Sequence, residues 1–238
     1  MIAASVAAPA LAHAERTQYG WLYGTEVQPE RGAEIVSWID EENDRQPGDL
    51  DWTRWGFSAL VGVTDQLTIG LPLEFLWRDS AATDPSFTWQ RYGLEARYRF
   101  VSQDPVDAPP FAPLARVAVY RDVIARDRVD VEADLVASTT TESGSVMALV
   151  DVGFAGKFGD DTHVELRPGA GISVRAVGDL RIGAEVYSEL GLDSGGTKWA
   201  VVGPNVAWTH GRFWVSGAFG IGVYHIDTAP RVQWGIMF

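Results

Sequence analysis

No cysteine occurs in the 238 residues, so disulfides, thiolate-bound zinc and thiol nucleophiles are excluded. No stretch of eighteen consecutive apolar residues occurs either, which excludes an ordinary transmembrane helix. Lysine and arginine number 19 against 32 acids, giving a net charge of −13. No basic cluster offsets that balance, and a nucleic-acid partner is not expected. Signatures of chemistry are equally scarce. His163, His210 and His225 fall in or near turns, without HExxH-type spacing and without a serine that stands out as a partner. A GxSxG elbow is absent. Asp130, Glu132 and Asp134 lack the twelve-residue calcium loop with its glycine and closing glutamate. The glycines of Gly217-Ala218-Phe219-Gly220-Ile221-Gly222 lie inside an alternating segment, where they mark close packing rather than a phosphate cradle. No metal, cofactor or enzymatic activity is expected.

What is present is alternation. The chain is 46% hydrophobic with 25 Gly and 10 Trp, and from Arg31 onward it reads as period-two segments separated by turn residues. Leu67, Ile69, Leu71, Leu73, Phe75 and Trp77 share one face, opposite Thr68, Gly70, Pro72, Glu74 and Arg78. Tyr92, Leu94, Ala96, Tyr98 and Phe100 oppose Arg91, Gly93, Glu95, Arg97 and Arg99. Leu180, Ile182, Ala184 and Val186 oppose Arg181, Gly183, Glu185 and Tyr187. Phe213, Val215, Phe219, Ile221 and Val223 oppose Trp214, Ser216, Gly220, Gly222 and Tyr224. A charge on a lipid-facing position near the bilayer midplane costs roughly 2–4 kcal/mol, and these apolar faces carry none. The segments fall near 31–40, 51–64, 67–78, 86–100, 112–123, 128–139, 145–157, 162–176, 179–190, 197–209, 212–225 and 229–238. The reading is all-β: an antiparallel, up-and-down transmembrane β-barrel of about 12 strands over residues 31–238, its partner the lipid bilayer. A soluble β-sandwich is the competing architecture. Trp52, Trp55, Trp77, Trp89, Trp208, Trp214 and Trp234 lie toward segment ends, as an aromatic girdle requires. Short turns near 64–66, 177–179 and 210–212 belong at the periplasmic end, which places the long 101–111 connection there as well. Pro168 and Pro204 weaken their strands, since proline cannot donate to the ladder.

The faces opposite the apolar ones are dense with charge. Glu74, Arg78, Arg91, Glu95, Arg97, Arg99, Arg116, Asp122, Asp130, Glu132, Asp134, Asp151, Glu165, Arg167, Arg175, Arg181 and Glu185 are expected in the lumen. Arginines crowd the 86–100 segment and acids the 128–139 segment. One outcome is a structural ion-pair network that fills the barrel. The other is a narrow pore whose arginine and acid rows orient a small polar solute.

Residues 1–14 read as the end of a signal peptide, with a short apolar stretch and Ala12-His13-Ala14 as cleavage site, so that the mature chain begins at Glu15. Within 15–30, Tyr19, Trp21, Tyr23 and Val27 alternate and read as a strand. Bacterial single-chain barrels usually have even strand numbers, so this thirteenth segment is expected inside the barrel, at its periplasmic mouth, or irregularly paired.

At the C-terminus Val232, Trp234, Ile236 and Phe238 alternate with Arg231, Gln233, Gly235 and Met237. This resembles the closing strand of Gram-negative outer-membrane β-barrels, which commonly end in Phe and are recognised there by the assembly machinery. Gly62-Val63-Thr64-Asp65-Gln66-Leu67-Thr68-Ile69-Gly70 looks like the strand–turn–strand phrase of porin-like barrels. Gly24 to Gly32, with the alternating stretch to Trp38, is similar to the opening of other barrel families. The resemblance implies the architecture and an outer-membrane location, while the lumen Arg and Asp/Glu rows point to a narrow pore or passive transporter for small polar solutes. A plugged structural or binding barrel and an outer-membrane hydrolase are the alternatives.

Overall fold

The first strand meets the last. Glu34 faces Met237, Val36 faces Gly235, Trp38 faces Gln233 and Asp40 faces Arg231 across an antiparallel ladder. This computed structural model describes residues 17–46, 50–80, 83–104, 107–193 and 198–238. Its strands are β1 (Ala33–Arg45), β2 (Leu50–Thr64), β3 (Leu67–Ser80), β4 (Thr83–Arg99), β5 (Phe111–Asp122) and β6 (Val129–Thr140). They continue as β7 (Val146–Phe158), β8 (His163–Val177), β9 (Leu180–Gly191), β10 (Lys198–His210), β11 (Phe213–Tyr224) and β12 (Thr228–Met237). Each pairs antiparallel with its neighbours in the chain, and the β1–β12 seam closes the sheet into a barrel. Closure removes the free edges that an open sheet would present. The described residues contain no helix. The expected leader, residues 1–14, lies outside the described residues.

Two-residue turns at 178–179 and 211–212 link β8 to β9 and β10 to β11, with Gly178 and Gly211 in the left-handed region at φ 55° and 58°. Such hairpins need that conformation for their twist to match the strands. The connection between β4 and β5 lies at the same end, tied by the Phe100 amide to Pro113 O and the Thr140 amide to Pro110 O. We call this the turn end, and the opposite one the loop end.

The alternation places the side chains as periodicity requires. Leu71, Leu94, Leu135, Ile182 and Phe219 are exposed on the outside, while Glu74, Glu95, Asp134 and Glu185 are buried within. The two prolines interrupt the ladder without ending the strands. The β8–β9 pairing passes from Leu166 to Gly169, around Pro168, and the β10–β11 pairing passes from Val202 to Asn205, around Pro204. In β4 the register shifts by one residue between Trp89 and Arg91. That bulge turns Trp89 outward although it shares the odd parity of inward Arg91.

Two features differ from the periodic reading. Trp52 and Trp214 do not join an outer girdle. Trp214 is buried among Val36, Leu60 and Trp38 and donates its indole N–H to Glu34. Trp52 lies beneath the guanidinium of Arg45, 3.9 Å from its ring centroid. Proximity to a strand end had suggested the girdle, but parity decides which side of the wall a residue occupies. Residues 17–28 also form no strand, despite their alternation. Both edges of β1 are already paired, by β2 and β12, so the closed sheet offers no ladder for them to join.

Candidate functional site

Residues 17–28 lie inside the barrel. Tyr19, Trp21, Leu22 and Val27 form one apolar cluster with wall residues Leu114, Val136, Leu149, Tyr187, Trp199 and Val201. Trp21 stacks on Tyr187 at 5.1 Å and meets Trp199 edge-on at 5.6 Å. Room for the segment comes from small wall residues. A Cβ on Gly171 of β8 would stand 2.5 Å from the Tyr19 ring, and one on Gly20 would stand 2.6 Å from Ala218 of β11.

A segment without secondary structure must pair its backbone with something else. Here the wall's side chains serve. Glu185 accepts the amides of Trp21, at 2.9 Å, and Gly20, at 3.2 Å. Asp151 accepts the Tyr23 amide at 3.0 Å. Gln233 and Ser216 donate to Tyr19 O, and Arg99 donates to Thr25 O. Lower down, Thr68 Oγ1 accepts the Gln28 amide at 2.7 Å, and the Arg31 amide reaches Gly62 O at the turn end.

Beside the plug runs an ion-pair network. Glu132 on β6 is its hub, within reach of Arg91 (2.9 Å), Arg116 (3.2 Å) and Arg167 (3.4 Å), from β4, β5 and β8. Arg116 also binds Glu95 at 2.6 Å and Asp134 at 2.7 Å, and its guanidinium lies 4.2 Å from the ring centroid of plug residue Tyr23. Arg91 pairs with Glu74 at 2.7 Å and approaches Asp130 at 3.7 Å. Arg167 adds Glu165 at 2.9 Å and Glu189 at 3.4 Å. These charges are buried, so each survives only because a partner offsets its desolvation.

The two expected rows therefore meet, though not by facing each other across a bore. Strands β4 and β6 flank β5, and Arg116 of β5 stands between them. Within the arginine row Arg91 is ion-paired with Glu132 of β6, whereas Arg97 binds Glu95 on its own strand at 2.5 Å. Other expected residues sit apart. Arg181 binds Ser173 and the carbonyls of Gly144 and Ser145 at the turn end. Asp122 accepts the amides of Ile124 and Ala125, which shapes the loop after β5. Arg78 and Arg175 are exposed at opposite ends. Of the closing strand, Val232 and Ile236 are exposed on the outer face, Trp234 is half-buried, and Phe238 follows the strand.

Sequence reading missed a second cluster. Arg54 of β2 binds Asp40 and Glu42 of β1, each at 2.6 Å, and Arg45 binds Glu42 at 2.6 Å. Parity with Gly56 and Ser58 marks Arg54 as inward, and parity with Glu34 marks Asp40 and Glu42. Apolar Val36 and Trp38 on the same inward face of β1 masked that signal. Glu189 and Arg231, both on inward parities, were missed as well.

Three cavities run along the lumen and share walls. The loop-end vestibule, about 370 Å³, is bordered by Trp52, Gln90, Asp122 and Lys157. It shares Arg54, Glu74, Arg91 and Arg167 with a central cavity of about 80 Å³. The central cavity shares Trp21, Tyr23, Val36, Arg97, Arg231 and Gln233 with a lower one of about 30 Å³ beside the plug. The cavity volumes fall stepwise from the loop end to the plug.

The closed twelve-stranded antiparallel barrel is a fold shared with solved outer-membrane β-barrels. Among solved structures, an outer membrane channel from Pseudomonas putida F1 superposes with a TM-score of 0.64 at 11% identity, covering 90% of this chain and 98% of that one. The β domain of the Bordetella autotransporter BrkA gives 0.57 at 12% identity, over 87% and 99%. The KdgM porin in complex with disordered oligogalacturonate gives 0.54 at 10% identity, over 87% and 99%. At such identities the likeness concerns the fold. No family model and no curated protein matches the chain.

Proposed function

We propose that the protein is a narrow outer-membrane channel for passive passage of small polar solutes, with residues 17–28 forming its constriction. The carrying observation is the series of three cavities along the lumen, each of which shares lining residues with the next. The exposed apolar outer wall supports insertion in a bilayer, since it would otherwise leave a large apolar surface in water. By the usual arrangement of such barrels the turn end is periplasmic and the loop end external. The C-terminal strand is then the element read by the assembly machinery. The lumen suits passive passage because its acids and arginines are largely paired, so a small polar solute meets a polar wall without strong net charge. Planar-bilayer conductance of the purified full chain tests the reading. Small resolved current steps are expected, and a chain that inserts but passes neither current nor solute overturns it.

The buried plug favours a second reading, in which the barrel is sealed and serves as a structural or binding unit. Tyr19 and Val27 are fully buried and Trp21 nearly so. Conduction by a variant lacking residues 17–28, with none by the full chain, would select it.

A further inference from the structure

The lumen as a whole is mixed in charge, but the smallest of its three cavities is not. The central cavity is lined by seven carboxylates and six arginines. The lower cavity is lined by Arg97 and Arg231 and, among the described residues, by no carboxylate. Both arginines also line the neck between the two cavities, beside Trp21, Tyr23 and Gln233.

Arg231 differs from the other arginines near the neck. Arg97 is held by Glu95 at 2.5 Å. For the Arg231 guanidinium no ion pair or hydrogen bond is found among the described residues, and its Nε is buried without a partner. The Trp21 ring centroid is 5.3 Å from its guanidinium carbon, and Asp40, its partner across the β1–β12 ladder, is taken up by Arg54 at 2.6 Å. Asp151 and Glu185 act on it electrostatically. Both are occupied by plug amides, Asp151 by Tyr23 and Glu185 by Gly20 and Trp21. Arg231 is half-buried, and a buried guanidinium nitrogen without a hydrogen-bonded partner is costly and calls for an explanation.

We infer that Arg231, together with Arg97, forms a subsite for the carboxylate of a small organic anion at the neck. A carboxylate supplies the two acceptor oxygens that a guanidinium fork lacks here. Trp21 and Tyr23 line the same neck, and with Tyr187 stacked on Trp21 and the Arg116 guanidinium over Tyr23 it is ring edge that they offer to an apolar body attached to that carboxylate. The solute class is thus a small monocarboxylate with a planar or short aliphatic body. This rests on the channel reading for its role in transport, but binding itself requires only the folded barrel.

The test is calorimetric titration of benzoate into the detergent-folded full chain, with neutral benzamide as isostere. Saturable one-site binding of benzoate is expected, weakened at least tenfold for benzamide. Arg231→Gln should weaken benzoate at least tenfold, and Arg231→Lys should restore part of the loss. Equal binding of benzoate and benzamide would overturn the subsite, as would full affinity in Arg231→Gln. If Arg231→Gln fails to fold by circular dichroism, the Arg231→Lys and benzamide comparisons decide. A bilayer experiment separates the two ideas. Binding with no conductance leaves the subsite and rejects the channel, whereas conductance without binding, or without anion preference in a salt gradient, rejects the subsite alone.

Discussion

The carboxylate of Glu185 accepts the backbone amide of Trp21 at 2.9 Å, fastening the tip of an irregular segment to the middle of β9. Energetics show why that bond matters. Burying four apolar side chains contributes about 6–12 kcal/mol. Ordering the backbone of residues 17–28 costs about 12–24 kcal/mol. Apolar burial alone does not seat the plug, so its hydrogen bonds to the wall decide the balance.

Removing those anchors should therefore free the plug before it harms the barrel. A hydrogen bond to a charged group is worth about 1.5–3 kcal/mol. Glu185→Ala combined with Asp151→Ala is expected to raise single-channel conductance and to expose residues 17–28 to protease. Thermal unfolding of the barrel should shift little by comparison. Unchanged conductance together with unchanged cleavage would show that the plug is held by something else.

Deleting residues 17–28 outright should widen the path. The lower cavity of about 30 Å³ exists because the segment fills the surrounding space. A several-fold rise in conductance is expected, with the strand signal in circular dichroism retained. An equal conductance would remove the segment from its assigned role as constriction.

Gly171 provides a gentler probe. A Cβ there would fall 2.5 Å from the Tyr19 ring and 3.0 Å from a Leu22 methyl. Gly171→Ala is expected to displace the plug while leaving the β8 ladder intact, since its clash is with the segment rather than with the backbone. Protease sensitivity near residue 19, compared with the wild-type chain, is the measurement.

Glu132→Ala should act on the barrel itself. Three arginines converge on this one carboxylate, and breaking a buried pair costs about 3–5 kcal/mol. Urea unfolding in detergent should show a loss of that order. Arg31→Gln at the exposed turn-end pair with Glu30 should cost less than about 1 kcal/mol.

Seating of the plug should depend on pH through Glu26. Burial pushes its carboxyl above the usual carboxylate range, and Arg99 opposes that shift. The seated form therefore holds the proton more tightly than the free segment does. Its contribution is full below the ordinary carboxylate value and is lost as pH rises through the raised value. Protease cleavage of the segment should thus increase with pH in that window. Glu26→Gln should flatten this rise, and an unaltered profile would assign it to another group.

Much of the architecture was legible locally. Leu67 through Trp77 and Leu180 through Val186 declare an apolar face by period two, because an extended backbone sends successive side chains to opposite sides. That one property named the lumen charges Glu95, Arg116, Glu132 and Asp134 and the number of strands. It also sufficed to mark Arg54 and Asp40 as inward, although the apolar Val36 and Trp38 beside them obscured it.

Period two could not tell that Tyr19, Trp21 and Val27 leave the sheet. Their pattern is a strand's pattern, and only the β1–β12 seam, which consumes the last free edge, turns them inward to be held by Glu185 and Asp151. Nor could it tell who pairs with whom. Arg97 finds Glu95 while Arg231 finds no carboxylate, because contacts between strands far apart in sequence depend on closure and register. The sequence by itself determined which residues face inward, for alternation is a property of each strand. The tertiary structure alone decided which of them meet and which stay unpaired, for those distances exist only once the barrel has closed around its own N-terminal segment.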